Sequence, residues 1–377
     1  MITKYYHKKN KSDDTKLHEM RFFAQVAEKA GYTIAGVGSV YIMNGVSGLI
    51  SFALIMLIFA SLQSQLISLW NLNLANFSLR ISLVFRMISF SLLCYGLYST
   101  NFKIMLIGAA FSGLFVGLFW PTFYHLKNES IGKWHLIEKI SGVILTIITG
   151  ILVLYWNSLY ILIISFASST IGLILTYNVE DKNKKVEEQF DIDNHGYVDL
   201  KIISILDGFN GEAVRMMRRI VIMSGAVTIM NYNGILSFAL VLGISEALGA
   251  IIKQLTNFEI FEFSIIVFVG CLFCGILFDQ WIIGLILIGI GTAGIFPMVH
   301  EYVRDKIKIS DHNFRERNRF NGRIIGASFA AFIFISSMSY TIVFIAVFVS
   351  TYCVWFMIKG ETSDVAKPPN RPSVSVA

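Results

Sequence analysis

The chain has 377 residues, of which 55% are hydrophobic and only 15% charged, with a formal net charge of +6 and a positive mean hydropathy. Soluble domains carry about 25% charged residues, so this composition excludes an ordinary water-soluble fold. The net positive charge does not call for a nucleic-acid partner, because the basic residues sit in short stretches between long apolar runs, where membrane topology accounts for them.

A helix needs roughly 20 apolar residues to cross a hydrocarbon core of about 30 Å. The apolar runs here are continuous rather than alternating, which reads as helices and not as a barrel. Residues 1–21 are expected to form a cytoplasmic N-terminal segment with Lys4, Lys8, Lys9, Lys11 and Lys16, and no removed signal peptide is expected. Six spans follow within 22–177: Phe22 to Met43, Val46 to Leu69, Ile81 to Ser99, Ile104 to Tyr124, Ile140 to Trp156 and Leu159 to Tyr177. Residues 178–215 form the expected cytoplasmic linker, with a short, surface-lying helix near Lys201 to Leu206. Six more spans fill 216–358: Met216 to Met230, Ile235 to Leu255, Phe263 to Leu277, Trp281 to Val303, Ile324 to Met338 and Tyr340 to Ile358. Residues 359–377, with Pro368, Pro369 and Pro372, are expected as a disordered cytoplasmic tail.

The first two spans of each half are barely separated by composition. Ile220 to Leu255 as one helix would run about 54 Å, too long for one crossing. Turn signals at Asn44-Gly45 and at Asn231-Tyr232-Asn233-Gly234 supply the break.

The chain repeats itself. Gly38 to Asn44 reads GSVYIMN and Gly225 to Asn231 reads GAVTIMN, while Gly48 to Leu54 reads GLISFAL and Gly234 to Leu240 reads GILSFAL. Further on, GLFWP ending at Pro121 and GIFP ending at Pro297 are trailed by His125 and His300. Twelve spans also sort the charge. Arg80, Lys127, Lys133, Lys139, the linker lysines, the cluster from Arg304 to Arg323 and Lys359 fall on the side of the N-terminus, against Lys103 on the other. Basic loops mark the cytoplasmic face, so both termini are expected there, in a cell membrane, plasma or inner.

Several apparent motifs carry no chemistry here. GIGTAG at Gly289 to Gly294 lies inside a span, with no strand before it, and its glycines are read as sites of close helix approach. The calcium-like run from Asp191 lacks the closing glutamate, Ile202 standing there instead. Cys271 and Cys274 form a lone CxxC inside an apolar run. With no Walker loop, HExxH or nucleophile arrangement, neither an enzyme nor a cofactor or metal is expected.

Ionisable residues inside spans are expensive and so are candidates for function. Glu246 is a lone acid midway along an apolar run, either a proton carrier or an interhelical hydrogen-bonding group. Glu28, beside Lys29, is either a second proton carrier or half of a local pair. His125 and His300 are read as proton-relay residues or as helix caps. Arg86, Arg218 and Arg219 either act within the membrane or snorkel to its surface. Trp120 and Tyr124 either line a path or pack between helices.

Two parallel repeats of six spans, a cytoplasmic linker and the GLFWP and GIFP ends of the fourth and tenth spans resemble the major facilitator superfamily of secondary transporters. The resemblance runs from about Phe22 to Ile358, although the family's Asp-Arg loop is not recognisable in Asn71 to Arg80. It implies an all-α membrane protein of twelve transmembrane helices in two parallel six-helix repeats, acting as a monomer in the lipid bilayer. A small polar or amphipathic solute would move by alternating access, coupled to a proton or another ion. Carried over to this chain, the resemblance implies a solute path including Gln25, Glu28, Tyr32, Trp120, Arg215 and Ser224. The alternative is a non-transporting sensor, assembly factor or binding partner that keeps the fold.

Overall fold

A computed structural model describes residues 17–28, 30–31, 37–67, 75–126, 144–145, 147–148, 151–152, 157–177, 194–229, 244–245, 247–249, 251–253, 255–276, 281–306, 312–338 and 341–365. After a first helical segment at 17–28 come α1 (Val37–Ile67), α2 (Ala75–Tyr98), α3 (Phe102–Leu126) and α4 (Ser158–Thr176). These are followed by α5 (Asn194–Ile229), α6 (Ile260–Ile276), α7 (Trp281–Lys306), α8 (His312–Ile335) and α9 (Thr341–Val365). Among the described residues, five stretches are long and apolar enough to cross a membrane: Met43–Leu66, Phe77–Tyr98, Phe102–Phe123, Ser158–Thr176 and Thr341–Lys359. Ile260–Gly270 and Ile283–Ile295 are shorter apolar stretches.

The side chains are distributed inside out relative to a soluble protein. On α4, Ile163, Ile164, Ile171 and Ile174 face outward while Ser165, Ser168 and Ser169 are buried. Hydrocarbon offers no hydrogen bonds, so hydroxyls turn inward and bond to helix carbonyls: Ser165 to Ile161 at 2.8 Å, Ser169 to Ser165 at 2.9 Å, Thr122 to Leu118 at 2.7 Å. Helix ends are held locally. Asn157 caps α4 by accepting from the Leu159 amide at 3.0 Å, and Asn101 receives the Lys103 amide at 3.1 Å in the tight turn from α2 to α3.

The expected turn at Asn44-Gly45 falls on a break inside α1, where Gly45 has φ 63° and ψ −153°, a conformation that favours glycine. Its counterpart at Asn231 to Gly234 lies outside the described residues.

Among the described elements, α3 packs on α1 and α2, α4 on α2, α7 on α5 and α6, α8 on α5, and α9 on α5, α6 and α8, while α8 also packs on α1 and α3 and α1 on α5. Small residues set these seams. A Cβ at Gly113 or Gly117 would collide with the carbonyl oxygens of Met56 or Ala60, so α3 lies backbone-close to α1. Gly291 and Gly294 do the same for α7 against Val267 and Phe263 of α6, the close approach expected of that glycine run.

The closest seam joins α5 and α8. Gly208 faces the Arg319 carbonyl, Gly322 the Ile205 carbonyl and Gly326 the Phe209 carbonyl, each too near for a side chain. Two sequence expectations change here. The surface-lying helix near Lys201 to Leu206 is part of one 36-residue helix, with Ile203 and Ser204 fully buried. The Arg304 to Arg323 stretch, read as a basic loop, is helical from His312, because its charges pair with α5 instead of facing water. At the other end, α9 continues to Val365, into the expected tail.

A valine at Gly322 is expected to destabilise the protein by about 1–3 kcal/mol, since the Ile205 backbone cannot yield. Alanine at Gly211, which has open space around its Cβ position, is expected to be neutral or to stabilise by about 0.5–1 kcal/mol. Thermal unfolding of the two purified variants in the same detergent checks the contrast; equal losses would mean the α5–α8 seam is not close-packed.

Candidate functional site

The seam of α5 and α8 holds a buried network of charges. Glu212 on α5 is 0% exposed and receives Arg215 Nη1 at 2.6 Å, with Arg219 Nη1 3.6 Å from its Oε1 and Arg323 Nε 4.0 Å from its Oε2. A second knot lies one to two turns earlier: Asp207 meets Arg315 at 3.4 Å and Arg319 at 3.0 Å, and Glu316 meets the same two arginines at 3.2 and 3.6 Å. In a low dielectric an uncompensated charge costs several kcal/mol, so these groups hold the two helices in one register. Nearby, Ser350 of α9 donates to Asn210.

The first half carries its own buried cation. Arg86 on α2 is 2% exposed, donates to the Ala24 carbonyl at 2.9 Å and lies 3.9 Å over the Phe115 ring. The snorkelling reading therefore fails for Arg86, whose guanidinium is satisfied inside the bundle, and equally for Arg219, which is 4% exposed. The Arg218 side chain lies outside the description.

Of the residues expected to line a solute path, Gln25 and Glu28 are half-buried on the first helical segment, which winds into a wider π-helical turn at residues 28 and 30–31. Such turns recur at functional sites. Trp120 stands edge-on to Phe119, with the Arg21 guanidinium 5.4 Å from its ring. Arg215 belongs to the Glu212 network. Tyr32 and Glu246, with the side chains of Ser224, His125 and His300, lie outside the described residues.

The repeat that sets Asn44 opposite Asn231 also sets Gln25 opposite Glu212, Glu28 opposite Arg215 and Tyr32 opposite Arg219. That register was the available signal for Glu212; Asp207, which it sets against Met20, had none, and sequence reasoning left both inside the linker.

Among the described residues, the two groups of helices meet where α8 packs on α1 and α3 and where α1 packs on α5. Ser61 on α1 donates to Asn321 Oδ1 on α8 at 2.9 Å, and Gln65 reaches the same oxygen at 3.5 Å. Beside it Phe320 is fully buried among Leu17, Met20, Ala60, Leu83 and Phe119 of the first group. Among the described residues, no group of three His, Cys, Asp or Glu side chains is placed to hold a metal.

No family profile matches the sequence, and no curated protein sequence matches it. Solved structures do. A D-xylose-proton symporter superposes with a TM-score of 0.64 at 14% identity, covering 91% of this chain and 95% of that one. The nucleoside transporter NupG gives 0.61 at 15% identity, over 94% of this chain and all of that one. FucP, a Major Facilitator Superfamily transporter in the outward conformation, gives 0.59 at 10% identity, over 90% and 98%. The fold is that of the major facilitator superfamily. The chain is thus an all-α, multi-span membrane protein, and the solved structures it matches are transporters.

Removing the shared acid should expose the cost of the network. Glu212→Gln leaves Arg215, Arg219 and Arg323 without their common partner and is expected to destabilise the protein by about 3–5 kcal/mol. The double variant with Arg215→Gln should recover part of that loss, as thermal unfolding of the purified proteins would register. A double variant no more stable than Glu212→Gln alone would mean that Arg215 and Glu212 are not coupled.

Proposed function

We propose that this protein is a secondary transporter that moves a small polar or amphipathic solute across a plasma or inner membrane, coupled to a proton or another ion. The observation that carries this reading is the contrast between its two kinds of helix contact. Glycine seams bring helices backbone to backbone in both groups, and in the second group ion pairs also cross the α5–α8 seam. Between the groups, α8 packs on α1 through side chains, with Ser61 and Gln65 on Asn321 and Phe320 inserted beside them, and among the described residues no glycine there brings one backbone against another. A hydrogen bond between membrane helices is worth only about 0.6 kcal/mol, so this contact can open and close while each group stays rigid. Rigid bodies joined by a breakable contact are what alternating access requires. Among the matched structures, FucP is a fucose:proton symporter, a second is a D-xylose-proton symporter and NupG is a nucleoside transporter.

In this reading the chain forms twelve spans as two parallel six-helix repeats, 22–177 and 216–358, and works as a monomer. The solute path includes Gln25, Glu28, Tyr32, Trp120, Arg215 and Ser224, with Glu246, Glu28, His125 and His300 as candidates for proton transfer. The basic end, where Asn321 meets Ser61, faces the cytoplasm together with both termini.

Two experiments bear on it. Single cysteines at His195 and at Pro369 are expected to resist a membrane-impermeant thiol reagent applied to intact cells and to react once the cells are opened; reaction from outside at either position would overturn the orientation. In proteoliposomes, Glu246→Gln is expected to abolish accumulation driven by a pH gradient and to leave exchange at equal pH largely intact, because glutamine keeps a hydrogen bond but carries no proton. Full pH-driven accumulation by this variant would remove Glu246 from the mechanism. A folded protein that moves none of a broad solute panel would return the chain to the sensor or assembly role.

A further inference from the structure

Arg219 is the group in the α5–α8 network that its neighbours serve least. It is 4% exposed, and neither its Nε nor its Nη1 has a hydrogen-bond partner among the described residues. Its ion-pair contact among the described residues is Glu212 Oε1 at 3.6 Å, beyond hydrogen-bonding range. Glu212 is committed elsewhere, since Arg215 bonds to its other oxygen at 2.6 Å and Arg323 approaches that same oxygen at 4.0 Å. One carboxylate therefore faces three guanidinium groups, and the geometry satisfies Arg215 first.

The remaining acids of the seam do not relieve this. Asp207 and Glu316 are engaged by Arg315 and Arg319, nearer the start of both helices. Arg219 instead lies one turn further along α5 than Arg215, and the internal repeat sets it opposite Tyr32, a residue of the proposed solute path. A permanently charged fork with unused donors, deep in the bundle and at the repeat counterpart of a path residue, is suited to a planar or tetrahedral anion that arrives and leaves.

We infer that the solute is a small organic anion whose carboxylate or phosphate group is held by Arg219, with Arg323 alongside. This rests on the transport reading above and narrows its substrate class. Arg215 stays on Glu212, so the network keeps its structural pair while the solute takes up the donors that Glu212 leaves free. A neutral sugar would leave the Arg219 charge unmatched.

The test is ligand-dependent thermal unfolding of the full-length protein in lipid nanodiscs, at constant ionic strength. The probes are a panel of small mono- and dicarboxylates, inorganic phosphate, glycerol phosphate, and neutral monosaccharides as the contrast. At least one anion is expected to raise the unfolding temperature saturably, carboxylates or phosphates according to the true headgroup, while the sugars do not. Arg219→Gln should abolish that shift. Arg219→Lys, which keeps the charge but loses the fork, should weaken binding about tenfold, and it decides the matter if the glutamine variant does not fold. A saturable shift undiminished in these variants, or a response to the sugars and to no anion, overturns the inference. Proteoliposome uptake separates the two readings: uptake of a neutral solute that no anion inhibits overturns the anion site and leaves transport standing, whereas anion binding with no uptake of any solute overturns transport alone.

Discussion

A charge buried among lipid-facing helices has neither water nor counter-ions to turn to, so it must be met by groups inside the bundle, on its own helix or a neighbouring one. Glu212 meets that constraint with Arg215 on its own helix and Arg323 across the seam, and Asp207 meets it with Arg315 and Arg319. Both knots depend on α5 and α8 lying backbone-close, which Gly208, Gly322 and Gly326 permit by having no side chain where the opposing carbonyls sit. Glycine seam and ion-pair network are thus one device. The small residues set the distance, and the charges then choose the register, because sliding either helix by a turn would strand an acid against apolar surface.

The same logic explains why the first group of helices is built differently. Its buried cation, Arg86, has an aromatic ring and a backbone carbonyl as company where the second group uses carboxylates. Its seam between α1 and α3 is again glycine against carbonyl. Among the described residues the contact between the groups, at Ser61, Gln65, Asn321 and Phe320, runs through side chains and not through a glycine seam.

Structures with 10–15% identity superpose over more than nine-tenths of this chain. At that distance few individual residues are shared. What the fold requires is a pattern: apolar faces toward lipid, hydroxyls bonded back to their own helices, and small residues where helices cross. Many sequences satisfy such a pattern, so chains of this fold can diverge until no family profile matches while the backbone arrangement persists.

Composition and periodic apolar length are one-dimensional properties, and they determined that the chain is helical, spans a membrane several times and breaks at Asn44-Gly45. The break at Gly45 was legible because a turn residue interrupts an apolar run too long for one crossing, and the close approach at Gly291 and Gly294 because glycines in a membrane span have few other uses. The internal repeat also held a signal for Glu212, through its register with Gln25. The charge network was not legible, because Glu212 and Arg323, or Asp207 and Arg315, are separated by about a hundred residues of chain, and a basic stretch before an apolar run looks like a loop whether or not a partner helix waits for it. Only the packing of α5 on α8 decided that Arg315, Arg319 and Arg323 point into the protein, since whether a charge faces water or a counter-charge depends on which helix lies beside it, and that is a property of three dimensions alone.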